Sequence, residues 1–298
     1  MKTVQFIKTS FVALLISGMI SCDKIEEGDY LQEAGSVNAA CEEVSFTSRT
    51  SPVRKVLLED YTGHQCGNCP SAAVKVHDIA EMYEGQVVSM AVHAGGFAEL
   101  GSDGKYDYDF TTEPGNEYDA FFKISTVGNP NGMVNRIGYS DNHIQAPFKW
   151  QPLIGSLITQ APDADIQINA VYNEEISQIC IDTYYEYLNS MEGDYRLVVH
   201  IVENDIESWQ KNYEGSAGDP SYPTGDVPNY IHQHVLRANA NGLWGADTKA
   251  ASAGTSGVLR YSIELGDDWV KDNLEIVAYI YNAETYEVVQ AEKGYVDK

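Results

Sequence analysis

KVLLEDYTGHQCGNCP, residues 55–70, decides how the chain is read. VRKVLLEDY (53–61) is a compact apolar run of the kind that forms a central strand buried on both faces. Two cysteines two residues apart follow, then a proline, then Ala72, Ala73, Val76, Ile79, Ala80 and Tyr83 at helical spacing. A proline fits the first turn of a helix, where its missing N–H is no loss. The reading is strand, tight turn, helix, with Cys66 just ahead of the helix N-terminus. There the macrodipole and free amides favour a thiolate. C-x-x-C alone also suits a metal site or a loop staple. Zinc usually takes four ligands, and no second pair of this kind accompanies His64 or His77. The reading calls for no metal and no cofactor.

Downstream, Gly85 closes the helix and VVSMAVHA (87–94) reads as a second buried strand. A long polar loop follows, then a short amphipathic helix in NEYDAFFKI, a strand in GMVNRIGY and a helix in FKWQPLIGSLITQ. Alternating strands and helices over 51–161 predict an α/β layer. Beyond Ala161 the helical patterns stop. ADIQINAVYN, ISQICIDTYYEYL, YRLVVHIVE, YIHQHVLRA, VLRYSIEL, LEIVAYIYN and YEVVQAEKGYV alternate like strands between Gly, Asn, Asp and Pro clusters. Residues 162–298 therefore predict an all-β sandwich. The Gly- and Pro-rich stretch 211–228 reads as a loop. His232 and His234 alternate onto one face of a strand, as sandwich residues or a metal pair.

The N-terminus sets the compartment. Lys2 and Lys8 precede the ten-residue apolar run FVALLISGMI, then Ser21 and Cys22. A basic head, a short apolar core and a small residue before the junction describe a secretory signal, 1–21. Small residue then cysteine resembles a bacterial lipoprotein processing site, which implies acylation of Cys22 and a membrane lipid anchor. Residues 22–50, rich in Glu, Gly, Ser and Asn, read as a tether. Loss of residues 1–21 removes two lysines and no acids, taking the formal charge from −25 to −27. Such a surface repels nucleic acid, which is excluded as a partner. A hydrophobic content of 43% with 20 tyrosines still allows a packed core. Outside the cytoplasm disulfides persist, so Cys66 pairs locally with Cys69. Cys41 and Cys180 then bond to one another, or remain a free thiol and a buried apolar residue.

The segment KVLLEDYTGHQCGNCP resembles the strand, turn and helix start of the thioredoxin fold. The resemblance implies that Cys66 attacks a substrate disulfide and Cys69 resolves the mixed disulfide. Asp60, six residues before Cys66, would accept the proton. TVGNPNGMVNR resembles the segment that sets a cis-proline opposite the cysteines, which makes Pro130 the candidate; Asn129 and Pro130 would hold substrate as an extended strand. Gln65, Asn68 and Asn131 depart from the usual residues at their positions. Over nearly the whole length from Cys22, the chain resembles the Omp28-related outer membrane lipoproteins of Bacteroidetes. SCD, LLEDYTGHQCGNCP, VGNPNGMVNR and NYIHQHVLRANANGLWG carry that likeness. It implies outer-membrane attachment on the periplasmic or cell-surface face, and a thioredoxin-like domain followed by a β-domain. The expected activity is thiol–disulfide exchange on extracytoplasmic proteins. The alternative is a surface binding or adhesion module in which Cys66 and Cys69 form a structural staple.

Overall fold

Every residue of VLLEDYT is buried, and this segment forms β1 (Val56–Thr62). The computed structural model describes residues 37–297, so the signal segment and Cys22 lie outside the described residues. β1 runs parallel to β2 (Val87–His93), with Val56 opposite Val87 and Thr62 opposite His93. Between them in sequence lies α1 (Cys69–Met82). α2 (Glu113–Phe122) is capped by Thr112, whose hydroxyl accepts from the Gly115 N–H at 3.1 Å. β3 (Asn131–Val134) then pairs antiparallel with β1, and α3 (Trp150–Leu157) completes this part. Val56 and Leu58 pack under Val76, Ile79, Trp150 and Ile154 on one face of the sheet. Leu57, Tyr61, Val88 and Met90 face the other way, against Tyr118 and Phe122 of α2. Each such aliphatic side chain contributes ~1.5–3 kcal/mol by leaving water.

The second half supplies β4 (Ala164–Asn173), β5 (Gln178–Tyr187), β6 (Tyr195–Glu203), β7 (Ile206–Asn212), β8 (Gly225–His232), β9 (Val235–Asn239), β10 (Ala246–Asp247), β11 (Ser256–Glu264), β12 (Leu274–Asn282) and β13 (Val288–Asp297). The sheet order is β11-β5-β4-β13-β12-β6-β9-β2-β1-β3, with β10 beside β6; β7 and β8 form a separate hairpin. The fold is thus mostly β, built on one large mixed sheet. The border expected at residue 161 is no break in it. β9 pairs antiparallel with β6 and parallel with β2, through Ala91 and Val235, so strands from both halves are continuous. Docking β9 there covers an edge of β2 that would otherwise expose unpaired amides and carbonyls. The core is shared as well, since Val198, Val277 and Tyr279 pack in the same cluster as Leu57 and Tyr118. The described residues, 37–297, accordingly fall in one compact unit.

At the far edge, β4 joins β13 through only two parallel pairs, Val296 with Ala170 and Asp297 with Val171. The strands β11, β5 and β4 use this narrow seam to face the main sheet. Ile166, Ile179 and Ile181 share a cluster with Leu197, Ile201, Ile276 and Ile280.

The described part of the expected tether, residues 37–50, is docked on this wing. Cys41 is bonded to Cys180 of β5, with 5.6 Å between Cα atoms. The Asn38 N–H donates to Ser262 Oγ at 2.9 Å. Arg49 bridges Asp165 at 3.1 Å and Glu292 at 2.9 Å, and Phe46 stacks on Tyr184. Its composition reads as a tether because the anchors are isolated residues without a period.

Candidate functional site

Cys66 and Cys69 are joined in a disulfide with 5.4 Å between Cα atoms. Cys69 is the first residue of α1 and Pro70 follows in the first turn. The pair thus sits where the helix presents unpaired amides, a setting that favours a thiolate once the bond opens. Asp60 is buried in β1, and its Oδ1 has no hydrogen-bond partner. Loss of hydration pushes its carboxyl up to about 7. The Asn129–Pro130 bond is cis. Asn129 Nδ2 donates to the carbonyls of Thr62 and Ala94, each at 3.3 Å, which ties this segment to the C-terminal ends of β1 and β2.

Asp60 gives a pH-dependent prediction. The folded state holds its proton up to about pH 7, whereas the unfolded chain releases it near 3.8. The group therefore stabilises the fold below pH 3.8, and that stability is lost as pH rises through 7. At roughly 1.4 kcal/mol per unit, the full loss amounts to about 4 kcal/mol. Asp60→Asn is expected to be more stable than the wild type at pH 8, by up to this amount, with no gain at pH 3.5. Urea denaturation at the two pH values measures it; equal gains at both would contradict the assignment.

Both cysteines are covered, each only 2% exposed. The hairpin β7–β8 lies over them. The Lys211 N–H donates to the His64 carbonyl at 2.8 Å and the Tyr213 N–H to the Gly67 carbonyl at 3.0 Å. Gln210 Nε2 donates to the Cys66 carbonyl at 3.0 Å. The Tyr213 ring lies so close to Gly67 that a Cβ there would come within 2.3 Å of it. From the other side, Gln65 N–H donates to the Phe97 carbonyl at 3.0 Å, and His64 Nε2 to that of Glu99 at 2.8 Å.

Sequence reasoning missed this hairpin. β7 turns Ser208, Gln210 and Asn212 inward, so its buried face is polar and carries no hydrophobic period. Asn212 pins the following loop, accepting from the Asp219 N–H at 2.8 Å and donating to the carbonyls of Asp219, Tyr222 and Pro223. The strand expected over YIHQHVLRA is split, since β8 ends at His232 and β9 starts at Val235. His232 and His234 therefore do not share a face. His234 has positive φ between the strands and its Nδ1 lies 3.6 Å from Glu275.

A cavity of about 430 Å³ lies between α1, the β1–β2 sheet and the hairpin, lined by Asp60, Cys69, Ser89, His93, Tyr230 and His232 among others. Phe110 stacks on His93 with centroids 4.4 Å apart and lies 4.4 Å from His232; the two imidazoles are 5.5 Å apart. Burial holds His93 well below its usual range and His232 at about 3, so both are neutral. His93 Nδ1, His232 Nε2 and Ser89 Oγ are buried without partners. Among the described residues no three His, Cys, Asp or Glu side chains are grouped to hold a metal. A signal for His93 was present in the sequence. It ends a buried strand parallel to β1, and the C-terminal ends of parallel strands are where α/β sheets place their sites.

The chain is a β-rich protein of the outer-membrane class. It belongs to the outer membrane protein Omp28 family, whose model matches residues 116–298. The match begins beyond Cys66 and Cys69, so membership itself does not bear on that pair. Among solved structures, HBP35 of Porphyromonas gingivalis is similar with a TM-score of 0.60 at 16% identity, over 84% of this chain and 77% of that one. A structural-genomics protein from Agrobacterium tumefaciens gives 0.48 at 12% identity, over 84% and 97%. A domain of the outer membrane lipoprotein Omp28 from Porphyromonas gingivalis gives 0.30 at 19% identity, over 46% and 89%. No protein of curated function matches the chain in sequence.

Proposed function

We propose that this protein is a lipid-anchored outer-membrane protein whose residues 51–161 act as a thioredoxin-like unit, exchanging thiols and disulfides outside the cytoplasm. Residues 162–298 extend its sheet and supply the β7–β8 hairpin that covers the cysteines. One observation carries the reading: a disulfide closed at the start of α1, with a buried carboxyl on the preceding strand, its Oδ1 without a partner, lining the same cavity as Cys69. Asp60 would exchange a proton with Cys69 as the bond opens and closes. The segment Asn129–Pro130, tied to Thr62, would fix the floor of the site.

The near-complete burial of both cysteines favours a second reading, a structural staple within a binding or adhesion module. Quenching live cells with acid and alkylating free thiols separates the two. Exchange predicts a pool in which part of the Cys66–Cys69 pair is reduced and the fraction rises when a thiol is added to the medium. A pair that stays fully oxidised under both conditions supports the staple.

The lipid anchor at Cys22 rests on sequence and carries its own test. No helix among the described residues is long and apolar enough to cross a membrane. Cys22→Ala is expected to release the protein from membranes or to stall its processing, read by fractionation and intact mass. A processed Cys22→Ala chain that stays on membranes at high salt contradicts acylation.

A further inference from the structure

The surface that would receive a polypeptide at Cys66 is already occupied by this chain. The carbonyls of His64, Cys66 and Gly67 accept from Lys211, Gln210 and Tyr213, and the Gln65 N–H is spent on Phe97. These backbone groups flank the disulfide, and the hairpin that uses them stands where a polypeptide would have to lie to reach Cys66. The open space beside the disulfide is instead the cavity of about 430 Å³, and Cys69 lines it while Cys66 does not. That volume lies in the range of small-molecule sites, roughly 300–1,000 Å³. Its lining residues include four polar atoms that are buried without partners, Asp60 Oδ1, Ser89 Oγ, His93 Nδ1 and His232 Nε2.

We infer that the substrate of the exchange proposed above is a low-molecular-weight thiol or its disulfide, entering this cavity and reacting first at Cys69 beneath the β7–β8 hairpin. This rests on the redox reading and corrects two of its expectations, a protein substrate and first contact at Cys66.

The electrons balance as follows. A small thiolate attacks Cys69 Sγ, forming a mixed disulfide and breaking the Cys66–Cys69 bond. The electron pair leaves on Cys66 Sγ at the helix N-terminus, where a thiolate is favoured. A second small thiolate attacks the small-molecule sulfur of that mixed disulfide, releasing the small disulfide and a Cys69 thiolate. Asp60 can return a proton to Cys69, because its carboxyl is still protonated near neutrality. In sum, two small thiolates are oxidised to one disulfide and the protein gains their two electrons; Cys66 stays a thiolate, Cys69 takes the Asp60 proton, and Asp60 recovers one from water. The reverse direction uses the same steps.

The test uses the full mature chain and quenched alkylation with mass detection. Oxidised protein is mixed with free cysteine, or with a cysteine inside a fifteen-residue unstructured peptide, at equal thiolate concentration. Cysteine is expected to reduce Cys66–Cys69 at least about tenfold faster, and Tyr213→Ala, which uncovers Gly67, to narrow that ratio. With cystine as reagent, Cys66→Ala, which leaves Cys69 free, is expected to form the cysteinyl adduct at least about tenfold faster than Cys69→Ala. Equal rates for cysteine and peptide, or faster labelling of Cys66, would overturn the inference while leaving thiol–disulfide exchange intact. Failure of both reagents to react until urea unfolds the chain would overturn the inference and the redox reading together.

Discussion

Removing the disulfide between Cys41 and Cys180 is expected to destabilise the protein by about 4–5 kcal/mol. The bond closes a loop of 139 positions, and chain entropy assigns its benefit to the unfolded state, which it restricts. A double Cys41→Ala, Cys180→Ala variant keeps Cys66–Cys69 and isolates this contribution. Its urea midpoint should fall, with a steeper transition because its unfolded state is more expanded. The variant should also loosen residues 37–50, since the remaining anchors, among them Asn38 to Ser262, Arg260 to the carbonyls of Cys41 and Glu42, and Arg49 to Asp165 and Glu292, are isolated and partly exposed. Protease cleavage in that segment would report the release. A loss under about 1 kcal/mol would contradict the chain-entropy account of this bond.

Arg136→Met is expected to cost about 3–5 kcal/mol. Arg136 and Glu59 are both fully buried, and the guanidinium makes a two-pronged contact, Nε to Oε2 at 2.9 Å and Nη2 to Oε1 at 2.7 Å. Nη2 also donates to Tyr279 Oη at 2.7 Å. The rings of Phe122, Tyr279 and Tyr118 lie 4.8, 4.9 and 5.1 Å from the guanidinium carbon. Glu59 belongs to β1 and Tyr279 to β12, so one side chain ties the two halves of the sheet. Methionine fills much of the space but strands the Glu59 carboxylate in a medium of low polarity, which is the large part of the cost. The double variant Glu59→Gln, Arg136→Met removes the stranded charge and should recover much of the loss. If the double variant is as unstable as the sum of the two single ones, packing rather than charge dominates the site.

Strands whose apolar pattern is strong were legible in the sequence. β4, β6 and β12 coincide with ADIQINAVYN, YRLVVHIVE and LEIVAYIYN, because each is an apolar-rich run bounded by turn residues, and β6 and β12 are buried on both faces. The start of the site was legible too, since C-x-x-C-P followed by a helical period leaves few local alternatives. What stayed hidden is held by polar or long-range contacts. β7 buries Ser208, Gln210 and Asn212, and its register over Cys66 comes from main-chain bonds that no periodicity reports. The border at 161 marks a real change from helices to strands, but the joining of β9 to β2 through Ala91 and Val235 is a tertiary pairing. His93 and His232 meet only because β8 folds back across the end of β2, over a separation of 139 positions in the chain.

The most direct measurement of the central claim is the reduction potential of Cys66–Cys69 in the wild-type chain, equilibrated in buffers of defined thiol–disulfide ratio. A site that exchanges electrons outside the cytoplasm is expected between about −270 and −120 mV, the range of working oxidoreductases. A value well below about −300 mV would contradict exchange and leave the pair as a staple.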